Sequence, residues 1–258
     1  MLLEVKHIKK VFKPRFTKEE TIALADIDFA VEEGEYIAIM GESGSGKTTL
    51  LNILSTLEKP TTGQVLLSKQ DITSIKDRDI SAFRREHLGF VFQDFNLLDT
   101  LSVRDNIYLP MVLSKEPVNK MRSRLEILAP KLNINNILEK QPFELSGGQK
   151  QRVAVARALI SNPDLVLADE PTAALDYKNS ESLLELFEDI NDTGQTIIMV
   201  THSSLAASHA KRVLFIKDGS LYHQLYRGDK SSVDFAKEIT MSMTSFLGSS
   251  SESNNQEG

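Results

Sequence analysis

Gly41-Glu42-Ser43-Gly44-Ser45-Gly46-Lys47-Thr48 has the spacing G-x-x-x-x-G-K-[ST], and it lies between an apolar run, Tyr36 to Met40, and a helical pattern that begins at Thr49. Strand, glycine-rich loop and helix in that order form a cradle for polyphosphate. The glycines let successive backbone N–H groups turn inward on an anion, at a helix N-terminus that already carries partial positive charge. Lys47 supplies a point charge for the β- and γ-phosphates, and the Thr48 hydroxyl is placed to ligate Mg²⁺. Glu42, Ser43, Ser45 and Thr49 complete the candidate contacts of this loop. The ligand it predicts is a nucleoside triphosphate.

Four short apolar runs, Tyr36 to Met40, Gly89 to Phe92, Leu165 to Ala168 and Thr196 to Val200, are separated by stretches long enough for helices. That pattern predicts a buried, largely parallel sheet in an α/β fold. Ahead of it, Leu3, Val5, Ile8 and Val11 alternate loosely with polar residues, Ile27 to Val31 alternates clearly, and Gln64 to Leu67 reads as a further strand, so a β-rich layer is expected. Residues 95–159 turn helical, with polar breaks near Ser114 to Asn119 and Asn133 to Asn136, and read as a helical subdomain inserted into the sheet domain of residues 1–230. After Gly219 a hairpin is expected, then a helix over 231–248 with Val233, Ala236, Ile239, Met243 and Phe246 at near-helical spacing. Residues 249–258 carry no apolar side chain and are expected to be a disordered tail.

Composition narrows the classes further. Lys plus Arg total 30 against 36 Asp plus Glu, so no basic excess points to nucleic acid as the partner. The absence of cysteine excludes disulfides and thiolate metal sites and agrees with a reducing compartment. No apolar stretch approaches the roughly 20 residues of a spanning helix, and Met1 to Lys6 lacks the apolar core of a signal peptide. The expectation is a cytoplasmic chain without a membrane span of its own.

The run Leu165 to Ala168 ends in Asp169-Glu170. In open parallel sheets ligands sit beyond the carboxyl ends of strands, which would bring both acids to the nucleotide. Asp169 is the candidate Mg²⁺ ligand, directly or through water; Glu170 is the candidate base for a water attacking the γ-phosphate.

Five short elements stand in a fixed order around this pair: the phosphate loop, Phe90-Val91-Phe92-Gln93, Leu145-Ser146-Gly147-Gly148-Gln149, Ala173-Ala174-Leu175-Asp176 and Thr201-His202. Over residues 1 to 245 the chain resembles the ATP-binding subunits of ABC transporters. The resemblance implies a P-loop nucleotide-triphosphatase core with a mostly parallel sheet, an antiparallel β subdomain and an inserted α-helical subdomain. Phe90 to Gln93 matches the family's Q-loop and Leu145 to Gln149 its signature. Ala173 to Asp176 is similar to the D-loop with Ala for the usual Ser, and His202 stands where the family has its switch histidine.

Each element also has a physical reading. Ser146 looks like an N-cap, with Gly147 and Gly148 baring the first N–H groups of a helix that runs on through Arg152 and Arg157, a second anion site. By resemblance, Ser146, Gly147, Gly148 and Gln149 complete the γ-phosphate pocket of a second subunit, so a chain with one loop and one signature must pair head to tail. Gln93, at a strand end, has the amide chemistry of a metal ligand and a mobile link. His202 is assigned to the γ-phosphate and to orienting the attacking water. Adenine in this family stacks on an aromatic upstream of the phosphate loop; the matching position here is Phe12, with Phe16 as a rival. Stacking reads no base edge, so use of GTP stays compatible.

Leu57 to Gly63 and Phe92 to Leu98 resemble the branch that includes lipoprotein-release, macrolide-export and antimicrobial-peptide-resistance ATPases. Leu225 to Lys230, Phe235 to Ile239 and Leu247-Gly248 are most similar to the bacitracin-resistance type. The partners this implies are a second copy of the chain, a separate membrane permease with a large extracellular domain and, through it, a sensor histidine kinase. The chain would then work at the cytoplasmic face of the membrane. A soluble ATPase with the same motifs, acting on DNA or ribosomes, is the alternative; the long coiled-coil insertion of the first and the doubled ATPase unit of the second are both missing from the sequence.

Overall fold

The computed structural model describes residues 1–13 and 20–252, with side chains up to residue 244. Ten strands form one sheet: β1 (Leu3–Phe12), β2 (Thr21–Val31), β3 (Tyr36–Met40), β4 (Thr62–Leu67), β5 (Gln70–Asp71), β6 (Leu88–Val91), β7 (Leu165–Asp169), β8 (Thr196–Val200), β9 (Arg212–Lys217) and β10 (Ser220–Tyr226), in the order β5-β4-β1-β2-β10-β9-β3-β8-β7-β6. The α-helices are α1 (Lys47–Leu54), α2 (Asp77–His87), α3 (Val103–Leu113), α4 (Val118–Lys131), α5 (Gly147–Leu159), α6 (Tyr177–Asp192), α7 (Ser204–Ala207) and α8 (Ser232–Glu252).

Strands β9, β3, β8, β7 and β6 are parallel, and the pairs around β1, β2, β4 and β5 are antiparallel. The halves meet where Ser220 of β10 pairs with Asp26 of β2. Burial explains why the parallel strands read as unbroken apolar runs. Tyr36, Ala38 and Met40 enter one core with Val166, Ala168, Ile197 and Met199, while Ile37 and Ile39 enter the other with Leu165, Leu167, Ile198 and Val200. A strand buried on both faces has no polar side to show. The first core carries the α3–α5 helices, α6 and α8, and the second α1 and the antiparallel layer.

This is the α/β architecture expected from the sequence, with helical elements α3 to α5 inside residues 95–159. Three differences have physical reasons. The central strand β9 joins the parallel set, because Val213 to Ile216 is fully buried beside β3. Helix α2 fully buries one side chain, Phe83, and gains stability at its ends, with Asp77 and Asp79 in the first turn and Arg84, Arg85 and His87 in the last. Helix α8 continues to Glu252, beyond residue 248, where the tail was expected to begin. Residues 253–258 and Phe16 lie outside the described residues. No helix among the described residues is long and apolar enough to cross a membrane.

Candidate functional site

The carboxyl ends of the parallel strands converge. β3 runs into the phosphate loop, β6 into Gln93, β7 into Asp169-Glu170 and β8 into Thr201-His202. Backbone bonds tie these ends together: Glu170 N–H donates to Val200 O at 2.9 Å and Thr201 N–H to Ile39 O at 3.1 Å.

The loop itself is shaped by steric necessity. Gly46 has φ of 104°, and a Cβ there would stand 2.4 Å from Ala23 O and 2.6 Å from Leu24 Cδ2. Gly46 also occupies the N-cap of α1 and offers no side-chain cap, so the first N–H groups of the helix remain for a ligand. Lys47 Nζ donates to Gly41 O and Glu42 O, both at 2.8 Å. The Ser45 hydroxyl is buried without a hydrogen-bond partner. An uncapped helix end, a buried lysine and an orphaned hydroxyl fit a polyphosphate. Glu42, Ser43, Gly44 and Thr48 face solvent and Thr49 is half-buried.

Electrostatics point the same way. Burial pulls the Lys47 ammonium below the usual lysine range, and the charges of Glu170 and Asp169 partly offset this. Burial, then the neighbouring Glu170, pushes the Asp169 carboxyl above its ordinary value, with Lys47 opposing. Two carboxylates with one cation between them leave negative charge in excess. With the Thr48 hydroxyl in the first turn of α1 and the Gln93 amide after β6, the candidate donors are hard oxygens, the kind a Mg²⁺ ion takes.

Glu170 adopts φ of 45°, a left-handed conformation that costs a non-glycine residue about 1–3 kcal/mol. Its side chain is largely buried and held twice, by Thr201 Oγ1 at 3.0 Å and by His202 Nδ1 at 2.7 Å. His202 is exposed beside it.

Two groups stand apart from this cluster. Ser146 caps α5 in a reciprocal box, its Oγ accepting from Gln149 N–H at 3.3 Å and its N–H donating to Gln149 Oε1 at 3.0 Å. The neighbours of this helix tip are Ala174, Leu175 and Asn179; a Cβ on Gly148 would lie 2.6 Å from Asn179 Oδ1. The tip therefore packs on the Ala173–Asp176 segment and α6 of its own chain, not on the phosphate loop. Phe12, at the end of β1, is 40% exposed with Lys10 Nζ 4.8 Å from its ring centroid, so one ring face is already taken by a cation.

One residue, Gln151, does not stand out in the sequence. Gln151 of α5 donates from Nε2 to Pro171 O at 2.8 Å and lies 3.4 Å from Phe92 O. A groove of about 320 Å³ opens beside the loop after β6, lined by Leu57, Arg84, Phe90, Phe92, Leu113 and Arg157. Within it Arg84 Nε is buried with no hydrogen-bond partner. A larger cavity, about 610 Å³, lies between α4, α5 and α6 and contains none of the residues above.

Strand ends that gather a phosphate loop, an acid pair and a histidine define a P-loop nucleoside triphosphatase. The helical insertion with its capped Ser-Gly-Gly tip narrows the class to the ATP-binding cassettes. Residues 24–173 match the family described as ABC transporter. The chain is 48% identical over 248 residues to the ABC transporter ATP-binding protein YxdL of Bacillus subtilis (strain 168), covering 96% of this chain and 95% of that one. It is 46% identical over 239 residues to the bacitracin export ATP-binding protein BceA of Halalkalibacterium halodurans, covering 92% and 94%. Among solved structures, the dimeric post-hydrolysis state of the ATP-binding cassette MJ0796 bound to ADP and Pi superposes with a TM-score of 0.78 at 36% identity, covering 87% of this chain and 98% of that one. The chain belongs to the ABC transporter family and is an ATP-hydrolysing subunit of that family.

Proposed function

We propose that two copies of this chain power a separate membrane permease that confers resistance to antimicrobial peptides of the bacitracin kind. Similarity to a bacitracin export ATPase over nearly the whole length of both chains supports the substrate class. The double hold on Glu170 carries the mechanistic reading. A carboxylate fixed by Thr201 and His202 at the carboxyl end of β7 is prepared to take a proton from water before any substrate arrives.

In this reading the backbone of residues 41–48 and Lys47 bind the triphosphate, Phe12 stacks on the base, and Thr48, Gln93 and Asp169 hold Mg²⁺. The metal supplies charge neutralisation for phosphoryl transfer. His202 orients the attacking water and stabilises the γ-phosphate, and the α5 tip, Ser146 to Gln149, completes the site of the opposite protomer. Paired protomers close on ATP and reopen after hydrolysis.

The groove beside Gln93 takes a cytoplasmic helix of the permease, bringing the chain to the membrane. Its apolar lining and the partnerless Arg84 favour an amphipathic helix that carries a carboxylate.

The test is a strain lacking its own peptide-resistance transporter, supplied with this chain and the permease encoded beside it. Growth in bacitracin should be restored by the parent and not by Glu170→Gln, while purified Glu170→Gln should retain ATP and elute as a dimer. Protection against macrolides alone, or restored lipoprotein release, would move the substrate to a neighbouring branch. Unimpaired turnover by Glu170→Gln would remove the assigned base.

A further inference from the structure

Gln151 is fully buried at 0% exposure, one turn into α5 from the Ser146 tip. Its amide joins two carbonyl oxygens, Pro171 O at 2.8 Å and Phe92 O at 3.4 Å. Carbonyls only accept, so the nitrogen end of the amide must face them. Pro171 directly follows Glu170, and Phe92 directly precedes Gln93. One side chain therefore reaches the Phe92–Gln93 peptide and the carbonyl of the residue that follows Glu170.

A packing role does not explain the choice of amide. Gln151 Oε1 is buried without a partner, which a methionine of similar length would avoid. What the amide adds is a bridge between three segments. Two turns further along the same helix, Arg157 donates to Phe95 O and Asn96 O, and both of those residues have left-handed backbone. Helix α5 thus grips the loop around Gln93 on both sides. Glu170 is itself left-handed and Pro171 is the next residue, so the aim of the Glu170 carboxylate depends on where Gln151 holds Pro171.

We propose that Gln151 is a positioning residue through which contact of the α5 tip with the nucleotide of one site sets Glu170 and Gln93 in the other. The proposal rests on the head-to-tail pairing put forward above. A helix moves as a rigid rod, so a shift at Ser146 reappears at Gln151 and passes through its two bonds to the carbonyls of Phe92 and Pro171. Displacement of a reacting group by about 1 Å can change a rate by about a hundredfold, so a small movement suffices to separate an idle protomer from an active one.

The full-length protein tests this with two variants. Gln151→Met keeps length and removes both donors. Its kcat should fall about tenfold or more while KM for ATP stays within about twofold, and in the Glu170→Gln background it should still form the ATP-dependent dimer in size-exclusion chromatography. Gln151→Glu returns an O–H donor only while protonated, a form that burial favours. Its activity, taken as a ratio to the parent at each pH, should rise as pH falls. Parental kcat in Gln151→Met overturns the proposal. So does a loss shared by kcat, KM, dimerisation and melting temperature together, or a Gln151→Glu ratio that is flat with pH; that ratio decides alone if Gln151→Met does not fold. Failure of Glu170→Gln by itself to dimerise on ATP would instead strike the head-to-tail reading.

Discussion

His202 Nδ1 stands 2.7 Å from Glu170 Oε1, and Thr201 Oγ1 donates to the other oxygen of that carboxylate at 3.0 Å. The three residues sit at the ends of neighbouring strands, where Asp169 of β7 pairs with Val200 of β8. Facing a carboxylate, Nδ1 carries the proton, which leaves Nε2 to accept in the neutral ring and to donate in the imidazolium. The side chains differ sharply in exposure, 15% for Glu170 and 72% for His202. The acid is therefore fixed by the fold, whereas the histidine can swing without disturbing the core.

That contrast separates chemistry from stability in a His202→Ala variant. Hydrolysis should fall by about a hundredfold or more, the usual consequence of losing one donor aimed at developing charge. Melting temperature and affinity for a fluorescent ATP analogue should stay near the parent's, because His202 is itself exposed and Thr201 still holds the Glu170 carboxylate. Parental turnover in His202→Ala would leave the histidine without a role.

Asp169 gives a prediction with a definite sign in pH. Its carboxyl is raised above the ordinary value by burial and by Glu170, so the native state binds more protons than the unfolded chain. Stability then decreases as pH rises between the ordinary aspartate value and the raised one, and the full penalty is present at neutral pH. Asp169→Asn removes the charge, so at pH 7 the nucleotide-free variant should melt higher than the parent while losing ATPase activity. The gap should narrow as pH falls through the raised value and the parent's own Asp169 protonates. A variant that melts lower at pH 7 would mean that the attraction to Lys47 outweighs desolvation.

The parts of the molecule that could be read from sequence are those where one physical demand acts alone. Tyr36 to Met40 must be apolar on both faces, and Asp169-Glu170 must follow an apolar strand, so both stand out. Lys47 and Thr48 hid the true start of α1, since polar residues that wait for a ligand break the apolar period. Helix α2 escaped notice because Phe83 is its one buried side chain. Strand β9 was obscured by its own hairpin, which turns at Asp218-Gly219 directly after it. Gln151 was invisible for a different reason: between Lys150 and Arg152 it looks like an ordinary solvated position, and its bridge exists only once β6 and β7 lie side by side.

The terminal helix offers a test of how far the main core extends. Phe235 and Ile239 of α8 are fully buried, in the same cluster as Ala206 and Ala207 of α7 and Phe215 of β9. Met243 reaches further, lining a small cavity with Gly41, Glu42 and Tyr222 behind the phosphate loop. If α8 is part of one cooperative unit, Phe235→Ala should cost about 3–5 kcal/mol, the range for a buried phenylalanine. Urea unfolding would then show a lower midpoint with an unchanged slope. The helix also braces α7, which begins two residues after His202, so exchange of the amide protons in residues 204–207 should quicken in the same variant. A loss under about 1 kcal/mol, with exchange faster only within residues 232–244, would show that α8 detaches on its own and that the core ends at α7.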